Sequence, residues 1–318
     1  MSFQVYQPLA HGITRIDTAM VRDELAACYL MEDDGECAII ETGTHHTVPI
    51  ILDLLEQKGI DRRQVKYVIP THVHLDHAGG VGGLMQALPA ATLLIHPRGA
   101  RHMIDPSKLK AGATAVYGEA AFAEMYGDII PVPESRVTVM HDGDQVTLGQ
   151  RRLTFHDTPG HARHHFCVQD SASNGIFTGD TFGLAYPSLV TERGPFILPT
   201  TTPVQFDPPA LKASIRKLLA LEPERMFLTH YGLLEAPARP GERLLAMVDD
   251  YVLLAEQAAE GGDDDLMGRL EPALRDYLFA QAREHGVNLS DAALDDALGF
   301  DIHLNSQGLV VWLQQRTV

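Results

Sequence analysis

Within six residues, His72, His74, Asp76 and His77 offer three imidazoles and one carboxylate, in the order His-x-His-x-Asp-His. Imidazole and carboxylate together suit Zn, Fe, Mn or Ni, and such a density of donors points to a bound metal. The run is followed at once by Ala78-Gly79-Gly80. Glycines there let the chain turn away from a strand end.

The elements that must hold these donors are legible as alternating strands and helices. Cys28–Met31 and Cys37–Ile40 flank Asp33-Asp34-Gly35-Glu36, a hairpin signal. Thr47 is expected to cap a helix with Pro49 in its first turn and Gly59 as its stop. Residues 65–70 form a short apolar strand that delivers the histidine run at its C-terminal end. A helix is expected from 79 to 88, a strand over 91–96, and mainly helices over 98–135. Strands resume at 137–140, return through 145–148 after the Asp142-Gly143-Asp144 turn, and continue at 152–157. Residues 166–169 and 176–178 read as a paired set. Residues 182–203 read as a Pro- and Gly-punctuated loop. Asp207 caps a helix to about 221, and 226–230 reads as the last strand. A helix over 242–260, a linker at 261–265 and further helices follow, with Ser290 a candidate cap. Four strands thus end in potential ligands, at 72–77, His161, Asp180 and His230. Rigid strand ends are where α/β folds place polar sites. A lone histidine at a strand end is more often structural than a ligand. The 72–77 cluster reverses that expectation for His161 and His230, but not for His45, His46, His96, His102, His156, His164 or His165.

Composition excludes several classes. The net charge is -17, and residues 242–301 carry 15 acidic against 4 basic side chains. An acidic chain repels phosphate backbones, so nucleic acid is not expected as a partner. No run of about 18 apolar residues is present, so no membrane span is expected. Met1–Tyr6 lacks a basic, then apolar, leader, which favours a cytoplasmic location. Three cysteines (Cys28, Cys37, Cys167) without a CxxC read as reduced core thiols.

The ordered motifs Thr71–His77, Pro159-Gly160-His161, Thr178-Gly179-Asp180-Thr181 and Thr229-His230 resemble the metal motifs of metallo-β-lactamase-fold hydrolases. The resemblance covers about residues 20–235. It implies an α/β fold, a four-layer αββα sandwich, with an added C-terminal helical region. The domains implied are a catalytic domain over 1–240, with a helical insertion at 98–135, and a helical extension over 241–318. It also implies two divalent ions, with Zn favoured and Fe or Mn also compatible. His72, His74 and His161 would hold the first, Asp76, His77 and His230 the second, and Asp180 would bridge them. Seven donors exceed the four of one tetrahedral ion, which agrees with two. Two ions about 3.5–4 Å apart share a bridging hydroxide whose pKa falls toward about 7, and Asp76 is the carboxylate expected to aim it. One motif departs: Glu41-Thr42-Gly43 stands where the family usually has Asp-Thr-Gly, at a position that supports the site.

The reaction expected is hydrolysis of an ester, thioester or lactone of a small metabolite. The stretch Phe182–Tyr186 lacks the Gly-Arg pattern of glyoxalase II and persulfide dioxygenases, and His74 stands where flavodiiron proteins usually have Glu. Tyr186 is a candidate substrate-binding residue. The alternatives are a non-haem di-iron oxidoreductase and a regulatory ligand-binding protein of the same fold. A homodimer is compatible with the size and composition.

Overall fold

The computed structural model of the protein describes residues 4–201, 204–262 and 264–316. The end of the sequence-predicted loop at Pro203, and Asp263 of the expected linker, lie outside the described residues. Seven strands form one sheet in chain order: β1 (Tyr6–Pro8), β2 (Ile13–Asp17), β3 (Ala27–Asp33), β4 (Glu36–Ile40), β5 (Val65–Ile69), β6 (Thr92–Ile95) and β7 (Val137–Val139). The first four pair antiparallel, and β4 to β7 pair parallel. Six strands form the other: β8 (Gln145–Leu148), β9 (Arg151–Asp157), β10 (Phe166–Asp170), β11 (Gly175–Phe177), β12 (Arg225–Leu228) and β13 (Gly232–Glu235), in the order β13-β12-β11-β10-β9-β8. The α/β architecture with two sheets and added C-terminal helices is the one expected.

Strand periodicity explains the layering. On β3, Cys28 and Leu30 join a core with Ile51, Leu54 and Leu55 of α1 (Val48–Gln57) and Leu84 and Met85 of α3 (Val81–Ala87). Between them Tyr29 points the other way, as the two-residue repeat requires. Its ring meets Phe177 and Phe227 of the second sheet edge-on, at 5.2 and 5.7 Å, and its hydroxyl donates to Leu228 O at 2.5 Å. The two sheets therefore pack face to face around aromatic side chains. The β3–β4 turn, Asp34-Gly35, has φ of 48° and 79°, the positive pair that a two-residue hairpin needs.

A single turn of helix, α2 (Leu75–Ala78), stands between β5 and α3. The insertion consists of α4 (Pro97–Ile104), α5 (Ser107–Tyr117) and α6 (Glu119–Tyr126). Phe122, Tyr126 and Ile129 form a satellite core with Leu75, so the insertion packs on the histidine-rich run itself. Further on come α7 (Pro208–Leu219), α8 (Ala238–Ala259), α9 (Leu266–His285) and α10 (Asp291–Arg316).

Several local expectations are corrected. Thr47 precedes α1 but makes no cap bond; Thr44 caps a preceding 3-10 turn instead, and the Thr47 hydroxyl donates to Thr18 O at 3.1 Å. β8 does not return along β7 but pairs with β9, so the 142–144 turn crosses from one sheet to the other. The strand at 226–230 is not the last, because β13 follows it. Ser290 does cap α10, accepting from Ala293 N at 3.3 Å. The three cysteines are buried and unbridged, and burial pushes the Cys37 thiol up to about 11. Among the described residues no helix is long and apolar enough to cross a membrane.

The chain divides into two compact units. The first is Met1–Asp157, His164–Gly179 and Glu224–Leu233; the second is Thr158–Arg163, Asp180–Pro223 and Leu234–Val318.

Candidate metal centre

In the first unit, β5 ends at Ile69 and the chain then runs through Thr71, His72 and Val73 to His74, which precedes α2. Gly80 lets this segment lie against the loop after β4, because a Cβ there would meet Thr42 O at 2.5 Å. Thr42 clasps the motif from the other side: its N–H and hydroxyl both donate to His77 O, at 2.8 and 2.7 Å. His72 and His77 are fully buried, and His72 Nε2 lies 2.9 Å from His74 Nδ1.

Asp76, His77 and His230 form one potential metal-holding group, and Glu41, His72 and His77 another, with ligand atoms within 4.8 Å in each. His77 Nδ1 lies 3.0 Å from Glu41 Oε1, and His230 Nδ1 lies 2.8 Å from Leu25 O. Both partners are acceptors, so each Nδ1 carries the proton, and each Nε2 presents its lone pair. Both Nε2 atoms lie 3.3 Å from Asp76 Oδ2. Two lone pairs and a carboxylate oxygen converging on one point repel one another unless a cation lies among them. The donor set therefore fits a divalent metal ion, with each imidazole oriented from behind by an oxygen, as in metal sites generally.

Glu41 is the residue that sequence reasoning left least defined. It is buried, with φ of 61°, a left-handed conformation that costs a non-glycine residue roughly 1–3 kcal/mol and concentrates at functional sites. Its carboxylate accepts from Thr71 Oγ1 at 2.5 Å, Thr71 N at 3.1 Å and Thr229 Oγ1 at 3.2 Å, besides His77. The only signal in the sequence was its replacement of the family's aspartate.

His164 and His165, left as structural by sequence, both lie against the motif. The His164 ring stacks on His72 at 6.1 Å and stands edge-on to His74 at 5.6 Å, while His165 is 4.9 Å from His72. Burial and the neighbouring His74, His102 and His96 push the His164 pKa down to about 3. It stays neutral at physiological pH, a packing partner of His72 and His74.

In the second unit, His161 and Asp180 are both buried, with His161 Nε2 3.3 Å from Asp180 Oδ2. The loop bearing His161 rests on α7. Asp207 N donates to Gly160 O at 2.8 Å, Ser214 Oγ donates to Pro159 O at 2.7 Å, and a Cβ on Gly160 would strike Leu211 N at 2.2 Å. Tyr186 is fully buried, and its hydroxyl donates to Asp301 Oδ1 at 3.2 Å.

Comparison with known proteins gives the same fold. A family model described as the metallo-beta-lactamase superfamily matches residues 21–230. The metallo-beta-lactamase fold-containing protein ST1585 of Sulfurisphaera tokodaii is 27% identical over 217 residues, covering 66% of this chain and 74% of that protein. A hydroxyacylglutathione hydrolase of Maricaulis maris is 29% identical over 149 residues, covering 47% of this chain and 44% of that protein, so the match spans less than half of that relative's length. The crystal structure of ST1585 superposes with a TM-score of 0.65 at 23% identity, over 95% of this chain and 99% of the other. That of the metallo-beta-lactamase family protein TTHA1429 from Thermus thermophilus gives 0.66 at 18% identity, over 96% and 94%.

Proposed function

This chain belongs to the metallo-beta-lactamase superfamily, and from that premise we propose that it is a hydrolase, working with two divalent metal ions on an ester, thioester or lactone of a small metabolite. The observation that carries the reading is the convergence of His77 Nε2 and His230 Nε2 on the Asp76 carboxylate, each ring with its Nδ1 held by an oxygen. His72 and His74 belong with His161 in the proposed first set; Asp76, His77 and His230 form the second, and Asp180 is the bridging carboxylate. The assignments of His161 and Asp180 rest on motif order. Likeness to proteins named hydroxyacylglutathione hydrolase supports acyl transfer to water as the reaction class.

Divalent ions in such a site lower the pKa of water to about 7 and polarise an acyl oxygen. The chain's own part is orientation and proton handling. Asp76, partly open to solvent, accepts a proton from the attacking water and aims its lone pair. Glu41 and Leu25 O keep the imidazoles in the tautomer that leaves Nε2 free to donate electrons. Leu75, packed under Phe122, Tyr126 and Ile129, places an apolar layer behind the donors.

The test is a panel of thioesters, lactones and phosphodiesters, assayed with and without a chelator. Turnover of an acyl substrate that a chelator abolishes and one added metal restores is expected. Turnover indifferent to chelation, or confined to phosphodiesters, overturns the reading.

A further inference from the structure

We infer that a cleft in the second unit, between α7, α8 and α10, binds a nucleoside diphosphate, either free or as one end of a larger molecule. The cleft measures about 660 Å³, within the size range of small-molecule sites. Trp312, the only tryptophan of the chain, lines it together with Phe206, Arg163, Lys212, Arg216 and Arg316. The indole is half-buried. Phe206, itself buried, meets it edge-on at 6.4 Å, and the Arg316 guanidinium lies over it at 4.7 Å. Among the described residues no aromatic ring stacks flat on the indole. A half-exposed indole among guanidinium groups suits a base joined to phosphates: the ring stacks on the base, and the cations take the phosphates.

The charges run against the trend of the chain. Its net charge is -17, yet the cleft is lined by four basic and three acidic side chains. One acid, Asp207, is engaged as the cap of α7, accepting from Ala210 N at 3.0 Å. The others pair across the cleft, Asp249 with Lys212 and Glu256 with Arg316, and so tie α8 to α7 and α10. Both of these carboxylates are exposed, where ion pairs contribute little, so a phosphate can take their place. Arg216 is exposed and pairs with no carboxylate among the described residues. α7 opens with Pro208 and Pro209, which have no N–H, so side chains rather than the helix end must hold the phosphates. Arg163 connects the cleft to the loop of His161. It lies two residues past that histidine, and its N–H donates to Gln205 Oε1 at 2.7 Å. Resting on the proposed hydrolysis, the nucleotide is then the leaving-group end of an ester or thioester substrate.

Because Trp312 is the sole tryptophan, its emission reports on this cleft in the full chain without any turnover. The titrations are run on chelated protein, so that no metal ion holds the phosphates. ADP is expected to change the emission saturably. Adenosine and pyrophosphate, each lacking half of the ligand, are expected to bind about tenfold more weakly or worse. Arg216→Ala is expected to weaken ADP by about tenfold and to leave adenosine unchanged. Trp312→Ala, followed by calorimetry, is expected to weaken ADP and to leave pyrophosphate unchanged. No saturable response to ADP in the folded chain overturns the inference. So does equal binding of ADP and pyrophosphate, the mark of a general anion effect, or a folded Arg216→Ala that binds ADP as wild type does. In turnover, a thioester whose leaving thiol carries an adenosine diphosphate is expected to have a KM about tenfold below that of the same acyl group on a simple thiol. Arg216→Ala is expected to raise that KM with kcat unchanged. ADP binding without turnover of any acyl substrate sinks the hydrolase reading and leaves the cleft standing. Acyl turnover by a chain whose emission ignores ADP sinks this inference alone.

Discussion

Asp76 is the carboxylate on which the proposed chemistry turns, because it faces two imidazole nitrogens and still reaches solvent. Asp76→Asn removes the proton acceptor while keeping the shape. It is expected to lower kcat by about 10²–10⁴-fold, with a smaller effect on KM. Steady-state kinetics on an identified acyl substrate reads this, and a kcat within a few-fold of wild type would contradict the assignment. At this scale the sequence disclosed the donors that sit close together, because His72 to His77 need no folding to be seen as a group. What surrounds them was not legible. Thr71 and Thr229 lie 30 and 188 positions along the chain from Glu41, and Leu25 contributes a backbone carbonyl that no residue type advertises. His164 and His165 carried no motif of their own, yet both rings pack on His72.

Elements set how firmly these side chains are held. The loop of His161 has α7 as its support, and α7 is capped by Asp207, whose carboxylate accepts from Ala210 N at 3.0 Å. Asp207→Ala is expected to cost about 1 kcal/mol in urea unfolding, as loss of an N-cap does, and to raise the metal-release rate through the loosened His161 loop. An unchanged midpoint would show that α7 is held by packing alone. In the insertion, Phe122→Ala empties the satellite core against Leu75 and is expected to destabilise that region by about 3–5 kcal/mol. Hydrogen exchange over residues 107–126 measures it, and protection equal to wild type would contradict it. The elements with strong local signals were legible: the β3–β4 hairpin from Asp34-Gly35, β5 from its apolar run, α7 from Asp207 and two prolines. β1 and β13 are only 3 and 4 residues long, too short for a repeat to show. The crossing between β7 and β8 is a tertiary event: a turn signal says that the chain reverses, not which sheet receives it.

For the whole molecule, metal binding and stability are linked. An ion present at a hundred times its Kd adds about 2.7 kcal/mol. Chelation is therefore expected to lower Tm by roughly 5–10 °C, and one added metal to restore it; a Tm indifferent to chelator would count against binding. The pH dependence has a separate source in the second unit. Burial first, then the charges of Arg243 and Arg193, hold the His285 pKa below its ordinary value. Its folded pKa is lower than its unfolded one, so its contribution is full above about pH 6.5 and is lost as pH falls from there toward the folded value. His285→Gln is expected to flatten the decline of Tm between about pH 7 and 5; an unchanged slope would assign the decline to other groups. The net charge of -17 was legible from composition alone. The most direct test of the central claim is the metal-to-protein ratio, by plasma mass spectrometry, of chain purified without added metal. About two divalent ions per chain are expected, falling in His77→Ala. A folded wild-type chain that holds no divalent metal, and takes none up on dialysis, would contradict it.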